Sequence, residues 1–292
     1  MLGKMSNEIN YYDLVFSKFI TVKDSIQHLN DTVLDVYLKY SKSESKRIGN
    51  EMDAKKFTDK DVSRFNDMVK SIDNMDIQTM VSEIDKFSPD AFKLIADFVR
   101  HTNHWYTTES FLRKMSIVHL ITEFEEFLKQ IFSLIFLNKP ESLKSNQQIS
   151  FIEIMETSSY EEIIQKIISR KTKEIIDQNP LDLESDLTTY FDFQIESDTL
   201  WQNVKEVFYR RHVLVHNNGH ADNEYKSNTK NYDEDDLSPT KEYVRDSLDS
   251  FLKFAEVIST NAKIKFPQNM DQLNRFNLAK FEDITTRSAS ER

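Results

Sequence analysis

Three glycines serve the whole chain, at positions 3, 49 and 219, where ordinary usage of roughly 7% would supply about twenty. Tight hairpin turns need residues that tolerate a positive φ, and glycine is their usual source. A sandwich or barrel of many short strands therefore has no means of turning its corners, and the sequence predicts an all-α fold. The same scarcity excludes the clustered glycines of a Walker loop, a GxGxxG dinucleotide turn, a kinase glycine loop and a GxSxG nucleophile elbow.

Hydrophobic residues make up 39% of the 292 positions and charged residues 30%, the balance of a folded globular protein large enough for one or two domains. There is no cysteine, which removes disulfides, thiolate zinc sites and a cysteine nucleophile and suits a reducing compartment. The first ten residues lack a basic region followed by an apolar core. No apolar run approaches the ~18 residues of a membrane span. The expected location is cytoplasmic, with no membrane partner. A net charge of -11 opposes nonspecific coating of nucleic acid, so any RNA contact must be local. Two segments offer one: Lys166, Arg170, Lys171 and Lys173, and then Lys205, Arg210 and Arg211.

Along the chain, Val15, Phe19, Val22, Ile26, Leu29, Val33, Val36 and Tyr40 alternate steps of three and four, predicting a long helix with one apolar seam, of a bundle or a dimerisation arm. The polar stretch 41–60 reads as a loop, after which Val62, Phe65, Met68, Val69 and Ile72 resume a helical rhythm. Ser88-Pro89-Asp90 reads as a helix start running to about Val99. Residues 101–108 read as a connector before a second long helix carrying Phe111, Met115, Val118, Ile121, Phe124, Leu128, Ile131 and Ile135 and ended by Pro140. A further helix fits Tyr160 to Asp177. The span 181–197 has no clear period and reads as loop with short strands. A helix from about Asp198 is terminated by Gly219, 220–237 reads as a polar loop, and Ser238-Pro239 starts a helix bearing Val244, Leu248, Phe251, Ala255 and Ile258. The signal fades into a tail after Pro267.

The segment Phe208-Tyr209-Arg210-Arg211-His212-Val213-Leu214-Val215-His216-Asn217-Asn218-Gly219 concentrates two arginines and two histidines within two helical turns. Arginine grips phosphate and histidine moves protons near neutral pH, the two tools that metal-free RNA cleavage needs. The Arg-x4-His spacing from Arg211 to His216, with polar His212 after the arginine, apolar residues between and Asn217-Asn218-Gly219 following, resembles the signature of the HEPN superfamily, helical proteins that include many metal-independent ribonucleases and toxins. The resemblance covers residues 105–262, preceded by an N-terminal helical region (1–104) and followed by a tail (263–292). It implies a HEPN-like helical bundle and an endoribonuclease needing no cofactor or metal. Arg211 and His216 would be its catalytic pair, with His212 as second histidine and Arg210 as backup at the longer spacing. Lys166, Arg170, Lys171, Lys173, Lys205 and Asn217 would meet the RNA. A toxin or antiphage role, with an antitoxin or regulatory protein as partner, is also implied.

On a straight helix Arg211 and His216 sit about 140° apart, whereas His212 and His216 share a face. Two copies of the helix in a homodimer could bring arginine and histidine to one groove, and family members commonly work as dimers. The chemistry would be attack of a ribose 2′-OH on the adjacent phosphorus, with histidines moving protons and arginine steadying the added charge.

Rival readings accompany these. A noncatalytic HEPN-type module could bind RNA or a protein through the same groove. His212 and His216, with His220, could hold zinc, although no HExxH glutamate lies between them. Arg113 and His119 share an Arg-x5-His spacing that core packing explains. His101 and His104 read as a corner beside Trp105, and Glu123, Glu125 and Glu126 as a solvated surface. The acidic run 233–236 reads as a solvated loop or as a competitor of RNA for Arg210 and Arg211.

Overall fold

The computed structural model describes residues 10–73, 77–143, 150–178, 180–189, 191–193, 198–229 and 235–276. Regular structure among them is helical: α1 (Tyr11–Ala54), α2 (Asp59–Asp73), α3 (Ile77–Glu83), α4 (Pro89–Asn138), α5 (Phe151–Met155), α6 (Tyr160–Ile176), α7 (Pro180–Thr189), α8 (Asp198–His216), α9 (Asn223–Thr229), α10 (Lys241–Lys265) and α11 (Met270–Arg275), with short 3₁₀ turns at Ile84–Lys86 and Pro140–Ser142. A lone antiparallel bridge joins His220 and Asp236. The all-α expectation is met. No helix among the described residues is long and apolar enough to cross a membrane.

Several boundaries differ from the sequence expectation. The stretch 41–60 is mostly helix, because α1 continues to Ala54 and buries Ile48 and Met52. The expected connector at 101–108 is the middle of α4, which runs unbroken from Pro89 to Asn138; nothing in that stretch removes an N–H from the helical ladder, so polarity alone does not interrupt it. The span 181–197, read as loop with strands, contains α7, whose Leu183 and Leu187 are buried at helical spacing. Helices α9 and α11 fall in the expected polar loop and tail. Thr240, and not Ser238, caps α10, its hydroxyl accepting from Tyr243 N at 3.1 Å.

Two compact units emerge, one of Met1–Ser25, Ile117–Leu237 and Arg245–Arg292, the other of Ile26–Ser116 and Ser238–Val244. The expected linear boundary at 104 does not separate them, since α4 supplies residues to both. In the smaller unit, Ile48, Met52, Phe65, Met68, Met80, Phe87, Ile95 and Phe98 form the core. Asp61 there accepts Ser88 N at 3.0 Å and Ser88 Oγ at 2.7 Å, bracing the start of α4. Burial pushes the Asp61 carboxyl up, but these bonds and one from Thr58 outweigh it and hold it below its ordinary value.

The apolar seam read along α1 holds at Val15, Phe19 and Ile26 and then departs: Leu29 and Val36 are exposed while Asn30 and Ser41 are buried. Val33 has a side chain outside the described set. A helix of 3.6 residues per turn drifts about 20° per heptad from a 3.5 repeat, which carries a regular seam off its contact face. The same happens near the middle of α4, where Phe111 and Met115 face outward and Glu109 and Ser116 inward.

In the larger unit the core is aromatic. Phe124 of α4 meets Phe19 of α1 at 5.8 Å between centroids and Phe251 and Phe254 of α10 at 4.9 and 5.9 Å. Trp201 at the start of α8 packs on Phe254 at 5.2 Å, and Phe208 reaches Phe251 at 5.8 Å. Ring pairs at these separations add about 0.5–1.5 kcal/mol each beyond their buried area. Helix α8 is thereby fixed against α4 and α10, which decides which residues of its last two turns remain outside.

Candidate functional site at the end of the eighth helix

Val204, Val207, Val213 and Leu214 of α8 are buried and set its inner face, leaving His212, Val215 and His216 exposed on the other. Lys205 lies on the same outward stripe, within about 20° of both histidines around the helix axis. The imidazole centroids of His212 and His216 are 4.6 Å apart, the i,i+4 neighbourhood expected from the sequence. Helix α8 ends at His216, where Asn217 N and Gly219 N both donate to Val213 O, at 2.8 and 3.1 Å. Asn218 and Gly219 take positive φ, 54° and 90°, so the left-handed termination expected at Gly219 is present and shared with Asn218. His216 occupies the last turn of the helix.

The adjacent arginines are held in different surroundings. Arg210 is buried: its Nε donates to Glu206 Oε1 at 2.7 Å, Nη1 to Leu237 O at 3.2 Å and Nη2 to the Tyr225 hydroxyl at 3.2 Å. That hydroxyl donates in turn to Glu206 Oε1 at 2.5 Å. Burial, then the adjoining Glu206 carboxylate, raises the Tyr225 pKa, so the tyrosine stays a proton donor. Arg210 was expected as a backup catalytic residue; its guanidinium is instead enclosed with a carboxylate and a tyrosine, beneath the surface that a substrate could touch.

Arg211 is only half-buried, and its Nε is sealed from solvent with no hydrogen-bond partner. It sits near Glu125 of α4. Burial raises the Glu125 pKa, the Arg211 charge opposes that rise and Asp177, just past α6, adds to it. Glu125 was expected on a solvated surface; it adjoins the buried ring of Phe124 and is half-buried itself. Arg211 thus leans toward α4 while the histidines face solvent. The angular separation read from the sequence persists.

Beyond α8 the chain returns on itself. Ala221 N donates to Asp235 O at 2.9 Å and Leu237 N to Gly219 O at 2.8 Å. Asn217, expected to meet RNA, donates through Nδ2 to Asp222 Oδ2 at 2.7 Å, while Asp222 Oδ1 caps α9 by accepting Tyr225 N at 2.8 Å. In the acidic run, Asp233 and Glu234 lie outside the described residues. Asp235 engages Lys226 Nζ at 2.5 Å, which holds its carboxyl below the usual range. The partner of Asp235 is thus Lys226, and the carboxylate at Arg210 belongs to Glu206.

On α6, Lys166, Arg170 and Lys173 recur at helical spacing and are exposed, but Arg170 forms an ion pair with Glu153 and Lys171 one with Glu174 at 2.9 Å. Of the alternative sites, Arg113 is bound to Glu109, and His101 and His104 are exposed on the continuous α4. No group of three metal-ligating side chains is found among the described residues. Glu206 was readable in advance as the i−4 partner of Arg210. Tyr225 was not, since its approach depends on the path of the returning chain. The sequence matches no family model, and neither the curated proteins nor the solved structures contain a match to the chain.

Proposed function

We propose that the chain is a HEPN-like, metal-independent endoribonuclease whose site is built from Arg211, His216 and His212, with Lys205 on the same stripe. The observation that carries this reading is the contrast between the two neighbouring arginines. Arg210 has its donors engaged by Glu206, Tyr225 and the Leu237 carbonyl, whereas Arg211 keeps a sealed, unpartnered Nε one residue from the exposed histidine pair. A phosphate oxygen can meet the part of the half-buried Arg211 guanidinium that faces solvent, and it cannot meet the enclosed Arg210.

In the proposed reaction one histidine removes the proton of a ribose 2′-OH, which attacks the adjacent phosphorus. Arg211 stabilises the extra charge on the nonbridging oxygens, and a second histidine protonates the departing 5′ oxygen, leaving a 2′,3′-cyclic phosphate. His216 is assigned the donor role and His212 that of the other histidine. Because Arg211 and His216 diverge on one helix, the working site is proposed to form between two copies, each supplying one of the two groups. A toxin or antiphage role with a neutralising partner belongs to the same proposal through the family resemblance.

The test is incubation of the purified protein with RNA in EDTA, beside His216→Ala and a substrate carrying a 2′-deoxy linkage. Expected are cyclic-phosphate ends from the wild type and intact RNA in both controls. Equal behaviour of wild type and variant would instead assign the chain to the noncatalytic, RNA- or protein-binding class.

A further inference from the structure

Helix α5 is built to be seen. None of its residues is buried, yet Phe151 is 75% exposed, Ile152 69%, Ile154 44% and Met155 70%, and Tyr160 at the start of α6 is 67% exposed. Five large apolar side chains in ten residues, each left in water, form the kind of contiguous surface that soluble proteins keep for an interaction. The helix is nonetheless held in shape. Glu153 Oε2 accepts Ser150 N at 3.0 Å and Ser150 Oγ at 3.1 Å, closing a capping box, while its other oxygen holds Arg170 of α6. The Arg170 guanidinium, followed by the Ser150 bonds, brings the Glu153 carboxyl down to about 2. A five-residue helix is unstable by itself, so this fastening preorganises a display with no core to fill.

We propose that α5 and Tyr160 form a docking surface for a partner protein that presents an apolar groove or helix face margined by lysine and arginine. The charge around the patch selects that chemistry. Glu156, Glu161 and Glu162 flank the patch against a single nearby lysine, Lys166, while Arg170 is engaged by Glu153, so the margin is net acidic. A polyanion such as RNA, or an anionic lipid surface, meets repulsion there. In a two-fold contact with a second copy, the carboxylate margin would face itself, on a chain already at -11. A cationic, amphipathic partner gains from both the apolar anchors and the margin, and Phe151, Ile154 and Met155 have the i, i+3, i+4 disposition of helix-in-groove anchors. This surface is independent of the nuclease reading.

The experiment uses the full chain and two matched synthetic amphipathic peptides, one of leucine and lysine, the other of leucine and glutamate, with binding followed by fluorescence anisotropy. The Leu/Lys peptide should bind saturably, and both the Phe151→Asp/Met155→Asp protein and the Leu/Glu peptide should weaken binding by about tenfold or more. Phe151→Ser/Met155→Ser removes the anchors without adding charge, and should weaken the Leu/Lys peptide as well. Circular dichroism of both variants should match wild type, since neither side chain packs inward. Binding unaffected by either variant, equal affinity for both peptides, or no binding would overturn the proposal. So would wild-type self-association in sedimentation velocity, or capture by phosphatidylserine vesicles, that either double variant abolishes.

Discussion

The Tyr225 hydroxyl donates to Glu206 at 2.5 Å, on the same carboxylate oxygen that accepts Arg210 Nε. One glutamate of α8 therefore secures α9 and neutralises a buried guanidinium together. Tyr225→Phe should lower unfolding free energy by about 1–3 kcal/mol, because the buried Arg210 and the half-buried Glu206 each lose a partner. Arg210→Ala should cost more, about 2–4 kcal/mol, since a buried guanidinium with three hydrogen bonds is lost and the half-buried Glu206 is left without its counter-charge. Denaturant titration of the two variants checks the order.

Position 211 should behave differently. With its Nε unpartnered, Arg211→Ala should change stability by under about 1 kcal/mol while reducing RNA cleavage by about 10²–10³ if its guanidinium meets the phosphate. Arg211→Lys should fail to restore the rate, because an ammonium lacks the planar fork. Paired melting curves and initial rates separate this pattern from that of Arg210, for which lost activity should follow lost folding.

Glu125 provides a pH signature. Burial, opposed by Arg211, raises its pKa above the ordinary 4.5. A carboxyl raised in the folded state opposes folding only where it is ionised. Below its unfolded pKa it costs nothing, and the penalty grows as pH rises through the folded value. Glu125→Gln should accordingly melt with wild type near pH ~4 and above it at neutral pH, where the unfolded carboxyl is ionised. A constant offset across that range in thermal scans would contradict the assignment.

Gly219 has φ of 90° and donates to Val213 O, a conformation that side chains with a Cβ adopt at a cost of about 1–2 kcal/mol. Gly219→Ala should shift the denaturation midpoint by that amount with little change in m value. The loss should also blur the position of His216, three residues earlier.

Much of this was readable before any coordinates. Glycine scarcity predicted the helical class, and periodicity with Gly219 as terminator placed the motif helix close to Asp198–His216. The histidine pairing followed from i,i+4 spacing alone. Local pattern did not reach α7 or α9, because their helicity depends on burying Leu183, Leu187 and Tyr225 against distant residues. Nor did it separate Arg210 from Arg211: adjacent in sequence and alike in chemistry, they differ only in what the fold brings to each, and the Leu237 carbonyl that meets Arg210 is twenty-seven residues away along the chain.

The return of the chain from Gly219 to Leu237 closes at its neck, through the Leu237–Gly219 and Ala221–Asp235 backbone bonds. The neck, more than the body of the excursion, fixes how α8 terminates. Extra residues spliced after α9 would cost mainly loop-closure entropy, which grows by only about 0.6 kcal/mol per doubling of length. The excursion is thus a place where a chain of this design can acquire a new recognition cassette while its histidine end stays put.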